Sequence, residues 1–150
     1  MTHQRKNIFQ IPTTDFSFKK IFGTEHNKRF LISFLNCFVS KYTGKIVDVT
    51  YLPTEYYGMI DTEKKAVFDL LCKDEEDRQF IIEMQKAPQP DFAERSIFYL
   101  SRAISASLER GQLNYQILPT YSVNILDFDL QEYQKKRPVF SRCFFERSKQ

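Results

Sequence analysis

Two acidic residues interrupt two apolar runs. Residues 66–86, AVFDLLCKDEEDRQFIIEMQK, carry apolar runs at 67–72 and 80–84 around the polar connection 73–78, which is the pattern of a β-hairpin. Asp69 breaks the first run and Glu83 the second. Side chains alternate along a strand, so Phe80, Ile82 and Met84 share one face while Ile81, Glu83 and Gln85 share the other. If Lys73 pairs with Gln79 across a five-residue loop, Asp69 stands directly opposite Glu83, with the two Cβ atoms about 5 Å apart. Moving the register by one residue would put the two acids on opposite faces. Two carboxylates so close in a half-buried sheet are costly unless a cation or a proton sits between them. The residue types and their spacing therefore suggest cation binding. The plainer alternative is an exposed cross-strand pair of acids.

Other elements must hold that hairpin in place, and the chain supplies them in order. Thr14 or Asp15 can cap a short helical turn carrying Phe16, Phe18, Ile21 and Phe22, which Gly23 stops, and Thr24 offers a second cap. From Lys28 the positions Phe30, Leu31, Phe34, Leu35, Phe38, Val39 and Tyr42 follow helical spacing up to Gly44. Residues 46–52 alternate like a strand that Pro53 ends, and residues 54–65 form a polar connection containing Glu55. After the hairpin and the break at Ala87–Pro90, Asp91 is placed as an N-cap. Ala93, Ile97, Leu100, Ile104 and Leu108 then form the stripe of a helix over 92–110, ended by Gly111. A neighbouring stripe of that helix carries Arg95, Tyr99 and Arg102. Residues 120–128 form a last strand, and a short apolar strand is expected at 139–145.

Composition narrows the class of protein. The 150 residues suffice for one domain with a sizeable core, and fifteen Phe with eight Tyr favour an ordered globular chain. Three isolated cysteines, an odd number with no CxxC pair, fit reduced thiols in a cytoplasmic protein better than a disulfide framework. No apolar stretch is long enough for a signal-peptide core or a membrane span. His3 and His26 have no partner at metal-ligand spacing, so zinc is not expected. The acidic run Asp74, Glu75, Glu76 and Asp77 lacks the liganding pattern of an EF-hand and reads as a solvated turn. Net charge is only +3, but it is unevenly spread. Residues 1–45 carry eight Lys/Arg against two acids, residues 46–94 five against twelve, and residues 95–150 nine against five. An acidic centre between basic flanks suits a metal site beside a polyanion track, although solvated surfaces also cluster charge.

The order helix, strand, strand, strand, helix, strand, with Asp on one hairpin strand and Glu on the next, resembles the PD-(D/E)xK nuclease core. The segments DFSFKKIFG (15–23), IVDVTYLPTE (46–55), KAVFDLLCKDE (65–75), FIIEMQ (80–85), ERSIFYLSR (94–102) and VNILDF (123–128) are similar to one branch of it. That branch comprises the Rpn-like recombination-promoting nucleases, also called PD-(D/E)xK nuclease family transposases of bacterial mobile elements. The resemblance implies an α/β fold, a restriction-endonuclease-like core of order αβββαβ with a mixed central sheet flanked by helices. The nuclease-like domain would occupy residues 1–130, and residues 131–150 would be a basic tail. Relatives usually continue well beyond the core, so a minimal or truncated form is expected.

The resemblance further implies a DNA endonuclease linked to mobile elements and recombination. Asp69 and Glu83 would hold Mg²⁺, with Mn²⁺ able to replace it, and Glu55 would be a third acid of the site. Such an ion polarises the scissile phosphate and activates a water for attack. The general motif has Lys two residues after the Glu, where this chain has Gln85. A Gln can orient a water through hydrogen bonds but brings no charge. Arg95, Tyr99, Arg102 and Lys19 would hold the DNA backbone by charge and stacking, although a solvated helix face explains them too. Superfamily members often cut both strands as dimers, so a homodimer is among the implied assemblies. The alternative from another class is a catalytically inactive, transposase-derived remnant of the same fold that binds DNA or protein.

Overall fold

A computed structural model describes residues 14–56, 65–108 and 116–128, for Asp15 as backbone only. The expected features at Gly111, at 139–145 and at Cys143 lie outside the described residues. Helix α1 (Asp15–Phe22) begins where Thr14 accepts a hydrogen bond from the Ser17 N–H at 3.3 Å, so the sequence-read cap is in place. A 3₁₀ turn (Glu25–Asn27) leads into α2 (Lys28–Thr43). Gly44 ends α2 with a φ of 74°, a conformation that a side chain would strain.

Then follow β1 (Val49–Tyr51), β2 (Glu55–Tyr56), β3 (Ala66–Val67), β4 (Leu70–Asp74), β5 (Gln79–Gln85), α3 (Phe92–Ser107) and β6 (Thr120–Leu126). Beyond the six elements of the expected core order, the chain contains the short helix already read at 15–22 and, not expected, a small ladder of β2 with β3. The main sheet runs β1-β4-β5-β6. Strand β4 is antiparallel to β1 and β5, and β6 is parallel to β5, so the sheet is mixed.

Alternation along the strands sorts the core into two layers. Leu70 and Cys72 of β4, Phe80 and Ile82 of β5 and Val123 of β6 face α1 and α2, where they meet Phe18, Leu31, Leu35 and Val39. On the opposite face Leu71 and Ile81 meet Phe68, Ala103 and the half-buried Phe98, Tyr99 and Leu100 of α3. Helices therefore cover both faces, as an α/β core requires. Within α2 the buried set is Leu31, Leu35, Val39 and Thr43, narrower than the apolar stripe read from the sequence. Phe30 and Tyr42 lie at its exposed margin beneath Arg29 and Lys41.

Two features of the hairpin depart from the sequence reading. The run at 67–72 is not one strand. At Phe68 the backbone N–H donates to the Thr54 carbonyl, so β3 leaves β5 and pairs with β2 instead, and Asp69 sits at the break. The acidic turn is also not wholly solvated. Glu75, Glu76 and Asp77 are exposed, but the Asp74 side chain is fully buried against Arg78, Nε to Oδ2 at 2.6 Å. Its Oδ1 accepts the N–H groups of Glu76 and Arg78, and Arg78 donates onward to the Thr43 carbonyl at the end of α2. Burial of Asp74 is tolerated because both its oxygens are hydrogen-bonded and its charge is paired, while Arg78 Nη2 is buried without a partner.

Candidate metal and nuclease site

The register that the site depends on is the expected one: Lys73 pairs with Gln79 and Leu70 with Ile82, which carries Asp69 to a position opposite Glu83. The acids do more than face each other. The Asp69 N–H donates to Glu83 Oε1 at 3.2 Å, and the Met84 N–H donates to Asp69 Oδ2 at 2.8 Å. Continuing the ladder would place Met84 opposite Phe68, but Phe68 has turned to β2. The two carboxylates thus take over hydrogen bonds at the point where the strands part, which fixes both side chains.

Electrostatics sets the pair apart from ordinary surface acids. Burial, and then the neighbouring Asp69 carboxylate, push the Glu83 carboxyl up to about 8 from an ordinary 4.5. The Asp69 N–H and the charges of Arg95 and Lys19 act the other way. The pair therefore favours a proton or a cation between the two carboxylates over two bare charges.

The other sequence-predicted residues are placed as follows. Gln85 points to the face of Glu83, as the alternation predicted, and both ends of its amide are engaged. Oε1 accepts from Arg95 at 2.7 Å and Nε2 donates to the Ala87 carbonyl at 2.8 Å. Arg95 also donates to Gln89, and its guanidinium lies 5.9 Å from the rings of Phe92 and Tyr99. Tyr99 is half-buried and packs edge-on against Phe68 at 5.3 Å, so much of its ring belongs to the α3-side core. Arg102 lies one turn further along the same helix. Glu55 is on β2, paired in register with Val67 and bridged to Lys65 at 2.8 Å. Among the described residues no three His, Cys, Asp or Glu side chains gather as a metal cluster, so the site there consists of two carboxylates. Lys19 reaches from α1 to within 3.4 Å of Asp69 Oδ1.

Sequence reasoning missed Asn124. It is the parallel partner of Glu83 on β6 and is buried; its Nδ2 donates to Ser122, while its Oδ1 finds no hydrogen-bond partner. A polar residue inside the apolar string VNIL was the available signal. Of the cysteines, Cys72 is deep in the core, where burial pushes its thiol up to about 12 and leaves it inert, and Cys37 is exposed.

A mixed sheet between helices, with an Asp at a strand break facing a Glu on the next strand, defines the nuclease class that the motif segments resemble. The sequence matches the family model of the PD-(D/E)XK nuclease family transposases over residues 12–147, and the chain belongs to that family. No curated protein and no solved structure matches it. Family membership supports a nuclease-like function acting on DNA. No helix among the described residues is long and apolar enough to cross a membrane.

Proposed function

We propose that this protein is a Mg²⁺-dependent DNA endonuclease associated with mobile elements and recombination, with Asp69 and Glu83 as its cation ligands. The supporting observation is the clasped pair of acids, in which a half-buried Glu83, its carboxyl pushed well above the ordinary range, faces Asp69 at the end of the hairpin. Two hard carboxylates fit Mg²⁺, which is commonly held by one or two carboxylates and keeps water in its remaining positions. Mn²⁺ would be accepted by the same donors. Glu55 is a candidate further ligand only if it gives up Lys65. When bound, the ion would polarise the scissile phosphate and lower the pKa of a coordinated water.

The chain's own residues then have separable tasks. Asp69 and Glu83 hold the ion, which requires Glu83 to release its proton. Gln85 fixes Arg95 beside the pair, and Arg95 and Arg102 offer charge to the DNA backbone along α3. Tyr99 steadies that helix on Phe68 and presents its remaining edge to the same track.

Cleavage of supercoiled plasmid with Mg²⁺, Mn²⁺ or EDTA tests the reading, with Asp69→Ala and Glu83→Ala alongside. Metal-dependent nicking that both variants lose is the expected result. A folded wild type that binds DNA without cutting it would instead identify the inactive remnant.

A further inference from the structure

We propose that Asn124, on β6, is a positioning residue of the cation site, its Oδ1 accepting a hydrogen bond from a water on the ion that Asp69 and Glu83 hold; the assignment rests on the nuclease reading above. Strand register brings the residue there. Asn124 is the parallel partner of Glu83 and Ser122 that of Ile81, so all four lie on the α3 side of the sheet. Ser122 accounts for one half of the amide, because Nδ2 donates to its Oγ at 3.0 Å. Nothing among the described residues accounts for the other half. Asn124 is only 6 % exposed, and its covered Oδ1 meets no donor. A buried carbonyl oxygen left unpaired destabilises a fold. Val123, Ile125 and Leu126 beside it are apolar, and an apolar residue at 124 would avoid that cost. The oxygen is therefore kept for a donor that arrives with a ligand. Glu83, its partner in the sheet, is half-buried, so an ion taken up by the carboxylates would bring its waters to the margin of the buried amide.

The order of strands explains why a water stands between them. Strand β5 lies between β4 and β6, so Glu83 separates Asn124 from Asp69. Two strand spacings amount to roughly 10 Å. Direct bonds of about 2.1 Å from one ion to all three side chains would have to bridge that width. A water on the ion adds the length of a hydrogen bond and is itself the donor that Oδ1 lacks. Mg²⁺ keeps several waters when two carboxylates hold it, so such a donor is available. Ser122 sets the direction of the contact: by taking the NH₂ end, it leaves the carbonyl oxygen for the water. No covalent bond forms or breaks at Asn124, and it gives and takes no proton. Its task is to fix one water of the ion on the β6 side of Glu83.

Structural support and cation binding move in opposite directions when the amide is removed, which makes the role testable. Wild type, Asn124→Leu, Asn124→Asp and Asp69→Ala are compared by Mn²⁺ titration with electron paramagnetic resonance and by metal-free thermal unfolding. Asn124→Leu removes the unpaired oxygen but keeps a branched side chain. Its metal-free midpoint should equal or exceed that of wild type, while Mn²⁺ should bind about tenfold more weakly. Asn124→Asp keeps an acceptor at the same reach. It should unfold earlier without metal, because it adds like charge beside Glu83, and should bind Mn²⁺ at least as tightly as wild type. The assignment is overturned if Asn124→Leu binds Mn²⁺ like wild type. It is equally overturned if Asn124→Leu loses metal-free stability and Asn124→Asp fails to keep the affinity, which is the behaviour of an amide that only supports the fold. Where wild type binds Mn²⁺ and Asp69→Ala does not, an unimpaired Asn124→Leu sinks this assignment alone. A wild type that binds no Mn²⁺, or an Asp69→Ala protein that binds it equally well, sinks the carboxylate site and this assignment with it.

Discussion

The β4–β5 hairpin carries a polar cluster at each end, and the two are opposites. At the turn, Asp74 is surrounded by Arg78 and two backbone N–H groups, and Arg78 is tied to the end of α2. At the open end, Asp69 and Glu83 add like charge to like, and a partly exposed Lys19 is the cation at Asp69. The Asp74 carboxylate is satisfied without anything from outside, although Arg78 keeps one buried nitrogen, Nη2, without a partner. The open cluster raises the Glu83 carboxyl well above its ordinary range because burial and Asp69 oppose its charge. Both ends are built from Asp, Glu and basic residues, so composition does not separate a lock from a site. The degree to which each carboxylate is already satisfied does.

The comparison can be broken most directly at the turn. Asp74→Ala should cost ~3–5 kcal/mol in chemical denaturation, because it strands a buried guanidinium. The response of the protein to Mn²⁺ should survive in that variant. If stability hardly moves, the turn cluster is not a lock and the contrast fails.

Removing the charge at the open end should act in the other direction. The folded state keeps the Glu83 proton up to about pH 8, whereas the unfolded chain gives it up near the ordinary value of 4.5. Wild-type stability should therefore fall as pH rises through that window and level off above it. Glu83→Gln can still accept the Asp69 N–H and has no charge to bury. It should be more stable than wild type at pH 9 by ~2–4 kcal/mol and equal to it near pH 4. A Glu83→Gln protein that is less stable at pH 9 would place Glu83 among the structural acids.

Cation binding should then repair what pH damages. At a hundred times its Kd, Mn²⁺ should add about 2.7 kcal/mol to wild type, which thermal unfolding would show as roughly 5 °C or more. The increment should grow from pH 6 to pH 8 as the ion competes with the Glu83 proton, and Asp69→Ala should lose it. The smallest effect is expected at the seat of α1. Gly23→Ala, whose β-carbon would crowd the Lys19 carbonyl and Leu70, should cost ~1–2 kcal/mol in thermal or denaturant unfolding.

Much of this hairpin was legible without coordinates. Period-two alternation left the register to the turn, and the assumed five-residue turn that pairs Lys73 with Gln79 is the one found, which brings Asp69 to Glu83. Thr14 and Gly44 announced helix ends because capping is local chemistry. What escaped depends on packing between distant segments. Lys19 reads from the sequence only as a DNA-backbone contact, and its place beside Asp69 follows from α1 docking on the start of β4, fifty residues later in the chain. Asp74 looked like its exposed neighbours because a run of acids does not reveal which one turns inward toward Arg78. The strand break at Asp69 arises from Phe68 choosing Thr54 over β5, a competition between ladders that alternation cannot express.

The reciprocal bonds at that break also set a stoichiometry. Asp69 commits Oδ2 to the Met84 N–H, and Glu83 commits Oε1 to the Asp69 N–H. Each acid thus spends one oxygen on the backbone, and Asp69 Oδ1 already faces the Lys19 ammonium at 3.4 Å, so an ion drawing one oxygen from each strand would take Glu83 Oε2 and would exchange for that ammonium at Asp69. An ion that demands six oxygens must find the other four in water, in substrate or in further protein groups. By rationing its own donors, the hairpin leaves room in the coordination sphere for a phosphate and the water that attacks it.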